Sequence, residues 1–157
     1  MIIAIDFDGT CTTHEFPKIG KEIGAPRVLK KLVKSGHKLI LYTMRCDFLG
    51  NETLSGSPTG SNKPLMYLRD AVNWFKKHKI PLYGIQVNPT QHTWTISPKC
   101  YAELYIDDAA LGVPLKYDPN ISEKVFVDWN KVEKLLIKKE IIKTKPNTPR
   151  LAFDTLL

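Results

Sequence analysis

Two carboxylates, Asp6 and Asp8, follow directly on the apolar run Ile2 to Ile5, and Gly9 and the threonines Thr10, Thr12 and Thr13 come next. Carboxylates this close repel each other unless a proton or a cation relieves them. A second acidic pair, Asp107 and Asp108, closes the stretch "AELYI", and the hydroxyl of Thr43 closes "HKLILYT". Acids gathered with a hydroxyl suit a hard cation held through oxygen. Mg²⁺ fits best, because it keeps several waters and takes few protein carboxylates together with a substrate phosphate. Two cations lie near these stretches in sequence. Lys99 precedes the last of them, and Arg45 follows Thr43 by two residues. Arg45 is a candidate for substrate binding, against the plainer reading of a solvated loop residue.

These groups need elements that bring them together. Ile2 to Ile5 is a continuous β-branched and apolar run, as in a central parallel strand buried on both faces. Val28, Leu29, Leu32 and Val33 predict an amphipathic helix from Ala25 to Ser35, stopped by Gly36. "HKLILYT" reads as the next strand. A helix is expected from Pro64 to Lys79, with Leu65, Leu68, Ala71, Val72 and Phe75 on one side. "LYGIQV" and "AELYI" read as the third and fourth strands, and a helix capped by Asp128 is expected from Trp129 to Lys139. Strands alternating with helices predict a three-layer α/β fold with a mostly parallel sheet. Ligands of such sheets lie outside the carboxyl ends of the strands, where Asp6, Thr43 and Asp107 all fall.

Residues 44–63 are polar and rich in Gly and Ser, without periodicity. A segment of that length in a compact domain is expected to be functional or mobile, here a flap over the site. Residues 1–142 are expected to form a single domain, with 143–157 as a tail or arm.

Composition bounds the partners. The formal net charge is +7, carried mainly by lysine. That balance favours an anionic partner, a phosphorylated small molecule or a nucleic acid, although a solvated Lys-rich surface accounts for it as well. Cys11, Cys46 and Cys100 have no metal-binding spacing, which argues against a zinc site or a disulfide framework. No apolar run approaches the roughly 20 residues of a membrane span, and the start has neither a basic n-region nor an apolar h-region. A cytoplasmic protein without a membrane partner is expected.

"DFDGT", then "LILYT", then a lysine ahead of "LYIDD" resembles the four signatures of the haloacid dehalogenase superfamily of phosphohydrolases. The likeness covers roughly residues 1–115. With "EFPKIGKEIGAP" and "LYIDDAALGVP", the chain resembles a short subgroup with little or no cap domain. The resemblance implies a Rossmann-like fold and a Mg²⁺-dependent phosphatase acting on a phosphomonoester. Asp6 would be the nucleophile that forms an aspartyl-phosphate. Asp8 would be the general acid and then the general base, and the spacing of two keeps both on one side of a strand. The resemblance also implies that Mg²⁺ takes Asp6, the backbone carbonyl of Asp8, and an acid of the Asp107-Asp108 pair, Asp108 being favoured. Asp107 would then orient Lys99 or a metal-bound water. Thr43 and Lys99 would hold the phosphoryl oxygens.

Other readings compete. A receiver-type signalling domain uses similar groups, but its acid pair comes on the first strand, whereas here the adjacent pair comes last. A phosphatase that trims polynucleotide ends would use the basic surface, although no stripe of basic and aromatic residues marks one. His14, His37, His78 and His92 read as surface or packing histidines and Trp74 as packing. Trp94, flanked by polar residues, is a weaker candidate for stacking on a base or sugar.

Overall fold

The computed structural model describes residues 1–48 and 64–143. Residues 49–63 and 144–157, which hold most of the expected flap and tail, lie outside the described residues. In chain order the elements are β1 (Ile2–Ile5), α1 (Ala25–Lys34), β2 (Lys38–Leu41), β3 (Asp47–Phe48), β4 (Leu65–Met66) and α2 (Tyr67–Lys77). They continue with β5 (Gly84–Ile85), a 3₁₀ turn (Gln91–Thr93), β6 (Leu104–Ile106), β7 (Leu115–Asp118), β8 (Ser122–Val127) and α3 (Trp129–Lys138).

A parallel sheet in the order β5-β2-β1-β6 forms the centre, so the fold is α/β and Rossmann-like as expected. Alternate residues of the two central strands face opposite ways. Ile3, Ile5, Leu39 and Leu41 join one hydrophobic cluster with Val28, Leu29 and Leu32 of α1, Ala71, Trp74 and Phe75 of α2, and Val132 and Leu136 of α3. That cluster reaches from Ile3 to Ile142. The helices thus cover one face of the sheet.

The other face carries Ala4 and Ile40, both buried but outside that cluster. The β5 to β6 connection must pass over this face, since it returns across the sheet and parallel crossovers are right-handed. It does so as an irregular segment, residues 86–103, with only the 3₁₀ turn inside it. Its close approach requires glycine at position 84. A Cβ there would lie 2.3 Å from the Val87 carbonyl oxygen and 3.4 Å from Ile40 Cγ1.

The sequence reading differs from the structure in several places. Helices lie on one face of the sheet only, where a layer on each face is expected, and the helix expected from Pro64 begins at Tyr67, because Leu65–Met66 pairs with Asp47–Phe48 as a short antiparallel hairpin. The third strand is confined to Gly84–Ile85, because Gln86 turns out of the sheet with φ 63°. The antiparallel hairpin β7–β8 was not expected. It fastens the turn after β1, because Val127 N donates to Gly9 O (2.9 Å) and the indole of Trp129 to Thr10 O (2.7 Å). Asp128 caps α3 as expected, its carboxylate accepting from Asn130 N and Lys131 N, both at 3.1 Å. Among the described residues no helix is long and apolar enough to cross a membrane.

Candidate active site

β1 ends in a tight turn that leaves its acids at the sheet edge. Asp6 N still donates to Ile106 O (3.0 Å), while Cys11 N and Thr12 N turn back to Phe7 O at 2.8 and 3.2 Å. Phe7 points the other way and is fully buried, its ring 5.6 Å from Trp74 and 6.3 Å from Phe75. Packing of the central residue therefore fixes the two acids on either side of it. Gly9 has φ 79°, and a Cβ at that position would stand 2.3 Å from Asp108 Oδ2. The glycine is needed both for the turn and for the approach of Asp108.

Asp6, Asp107 and Asp108 each offer a carboxylate oxygen, all within 4.8 Å of one another. Among the described residues none of the three forms an ion pair. Burial, with the charges of Asp107 and Asp108, pushes the Asp6 carboxyl up to about 7 from 3.8. Asp108 is raised as well, by burial and then by Asp107, with His14 and Thr10 acting against the rise. Three oxygens with unrelieved charge fit a hard divalent cation. Thr10 ties the halves together, its hydroxyl accepting from Asp108 N at 2.9 Å. Asp107 Oδ1 accepts from Ala109 N at 2.8 Å, which orders the turn beyond β6.

Asp8 has a different partner. Arg45 is buried, and its Nε and Nη2 donate to the two oxygens of Asp8 at 2.7 Å each. Among the described residues the guanidinium also meets the carbonyls of Pro17 (3.1 Å) and Lys18 (2.7 Å) and the rings of Phe7 and Phe16, 5.1 and 5.2 Å from Cζ. Arg45, expected to bind substrate, therefore has a structural partner in Asp8 that the sequence reading did not foresee. Four of its five N–H donors engage Asp8 and the loop at 17–18 and hold them in place, while the side chain also lines the cavity shared by Asp6, Asp8 and Thr43. Asp8's carboxylate likewise stands apart from the three-acid cluster, so any metal contact of Asp8 would fall to its backbone carbonyl.

Thr43 lies where expected. With Asp6, Asp8, His14, Asp107 and Asp108 it lines a cavity of about 430 Å³ at the sheet edge. Gln86 positions it: Thr43 N donates to Gln86 Oε1 (3.0 Å), and Gln86 Nε2 donates to Thr43 O (2.5 Å) and Arg45 O (3.0 Å). Lys99 is not brought to this cavity. It is exposed and lines a separate depression with Trp94, Tyr101 and Tyr105. The irregular path of residues 86–103 carries it there, and the expected phosphate contact of Lys99 is corrected on that ground. Thr10 and Gln86 were missed by the sequence reading. Thr10 stood inside "DFDGT" and could have been found from it, whereas nothing in "LYGIQV" marked Gln86.

Fold and site together define a Rossmann-like α/β protein with a carboxylate cluster at the carboxyl edge of its sheet. A conserved protein from Bacteroides thetaiotaomicron of known structure is similar to it, with 29% identity over 92% of this chain and 93% of that chain and a TM-score of 0.61. No protein-family model and no curated protein sequence matches the chain.

Proposed function

We propose that this chain is a Mg²⁺-dependent phosphatase of the haloacid dehalogenase type that hydrolyses a phosphomonoester. The carrying observation is the position of Asp6, at the end of β1, inside the three-carboxylate cluster and on the wall of the cavity that also receives Asp8 and Thr43. Bound at Asp6, Asp107 and Asp108, Mg²⁺ would neutralise those acids and draw charge from the phosphoryl oxygens.

The residues divide the work as follows. An oxygen of Asp6 attacks phosphorus, and the bond from phosphorus to the leaving oxygen breaks. Asp8, on taking up a proton from water, gives it to that oxygen. Water then attacks the phosphorus of the Asp6 phosphate, Asp8 takes its proton, and Asp6 is released. For this Asp8 must loosen one of its two bonds to Arg45, and the pair holds it at the cavity wall meanwhile. The Thr43 hydroxyl orients the phosphoryl group.

The test is phosphate release from a panel of nucleotides, sugar phosphates and end-phosphorylated oligonucleotides, with Mg²⁺ and with a chelator. Release that requires Mg²⁺ is expected. No release from any member of the panel would contradict the reading.

A further inference from the structure

On the sheet face opposite the helices, residues 86–103 form a second concavity, about 350 Å³, lined by Trp94, Lys99, Tyr101 and Tyr105. Trp94 is 61% exposed, Tyr101 44% and Tyr105 36%. The Trp94 and Tyr101 rings meet edge to face, 5.4 Å between centroids. Large aromatic faces left open to water in a folded segment mark a recognition surface.

The segment is held in shape from within. Gln91 is buried, and its Nε2 donates to Ser97 O (2.8 Å) and Lys99 O (2.7 Å) while its Oε1 accepts from Tyr101 N (2.6 Å). Asn88, also buried, donates to Tyr101 O at 3.0 Å. Two buried amides therefore fix the backbone that presents Trp94 and Tyr101, which lowers the ordering cost of binding.

Tyr105 connects this concavity to the strand that leads into the acids. Tyr105 and Tyr42 meet with ring centroids 6.3 Å apart. Tyr42 precedes Thr43, and Tyr105 lies two residues before Asp107, about 7 Å along an extended strand. Its charge also selects a ligand. Residues 84–102 contain no Asp or Glu, and the whole chain is at +7.

We propose that the concavity of Trp94, Tyr101 and Tyr105 is a stacking subsite for the base of a nucleotide or single-stranded polynucleotide end whose phosphate reaches Asp6. The inference depends on the phosphatase reading for the phosphate, while base binding is measurable apart from it. Every base has a face to stack on an aromatic ring, so the site is expected to tolerate different bases. Lys99, in the same concavity, supplies a cation for a flanking phosphate.

Binding is measured without turnover, using the full chain carrying Asp6→Asn in Mg²⁺, by intrinsic tryptophan fluorescence excited where bases do not absorb. Trp74 and Trp129 are buried, so an exposed, quenchable signal reports on Trp94. Nucleoside monophosphates or short single-stranded oligonucleotides are expected to quench it saturably, and ribose 5-phosphate is not. Comparison of the two arms tells whether one base or a strand is the better ligand. Trp94→Ala should weaken binding of the better ligand, followed by calorimetry, by about tenfold, with circular dichroism unchanged. Absence of saturable quenching by both ligand types, or unchanged affinity in Trp94→Ala, would overturn the subsite. Saturable quenching in a chain whose native form releases no phosphate would instead overturn the phosphatase reading alone.

Discussion

Arg45 and Asp8 are joined by two parallel hydrogen bonds of 2.7 Å, with the arginine side chain 1% and the aspartate 13% exposed. A buried fork of this kind fixes a carboxylate in plane as well as in place. Because the same guanidinium holds the carbonyls of Pro17 and Lys18, it couples Asp8 to the loop that follows β1. Removing one member strands a charge, so Arg45→Ala is expected to cost about 3–5 kcal/mol in urea unfolding. Arg45→Lys keeps the charge but loses the fork, and should lie between that variant and the native chain. Asp8→Asn combined with Arg45→Met should recover much of the stability and none of the activity. Additive losses in the double variant would show that the pair does not act as a unit.

The raised Asp6 carboxyl makes stability depend on pH in the metal-free chain. Between pH 3.8 and about 7 the folded chain keeps a proton that the unfolded chain has lost. Stability from this group therefore falls as pH rises through that window. Mg²⁺ replaces the proton, so its affinity should climb over the same window and its binding should release protons below pH 7. Thermal unfolding in chelator and in Mg²⁺, followed from pH 4 to pH 8, checks both. A Mg²⁺ affinity independent of pH would count against Asp6 as a ligand.

Gly9 bears on both the turn and the metal acids. In Gly9→Ala the new methyl would stand 2.3 Å from Asp108 Oδ2, on a backbone at φ 79°. Strain alone should cost about 1 kcal/mol or more. Displacement of Asp108 should also shrink the stabilisation given by Mg²⁺, which reaches about 2.7 kcal/mol at a hundredfold excess over Kd in the native chain. A variant that is destabilised yet gains as much from Mg²⁺ as the native chain would show that Asp108 is not a ligand.

Gln86 holds the backbone of Thr43 and Arg45 through three hydrogen bonds. Gln86→Ala leaves those groups to water or unpaired, at about 1–3 kcal/mol. Because the acids stand on other strands, KM for phosphoester should rise while Mg²⁺ affinity stays close to native. Steady-state kinetics over a range of Mg²⁺ concentrations separates the two effects.

The sequence was most legible where one element decides the geometry. The β-branched run at Ile2 to Ile5 and the acids after it reach the sheet edge because a parallel strand buried on both faces ends where its polar residues begin. Ala25 to Lys34 formed a helix for the periodicity of its apolar residues. Legibility ended where distant segments meet. The pairing of Arg45 with Asp8 went unseen because the two lie 37 residues apart, and no local pattern encodes it. Lys99 precedes β6 in sequence, but the path of residues 86–103 across the open face carries it elsewhere. The β7–β8 hairpin has irregular pairing between Lys116 and Asp118 and a largely exposed β7, which left little alternation to detect.

The central claim is that Asp6 carries the phosphoryl group, and the covalent intermediate tests it most directly. The full chain is quenched during turnover of a phosphoester from the panel in Mg²⁺, then reduced with borohydride, which converts an aspartyl-phosphate to homoserine, and mapped by peptide mass. Homoserine at position 6, absent without substrate and absent in Asp6→Asn, is the predicted result. Sustained turnover by Asp6→Asn, or homoserine at another aspartate with position 6 unmodified, would contradict the account.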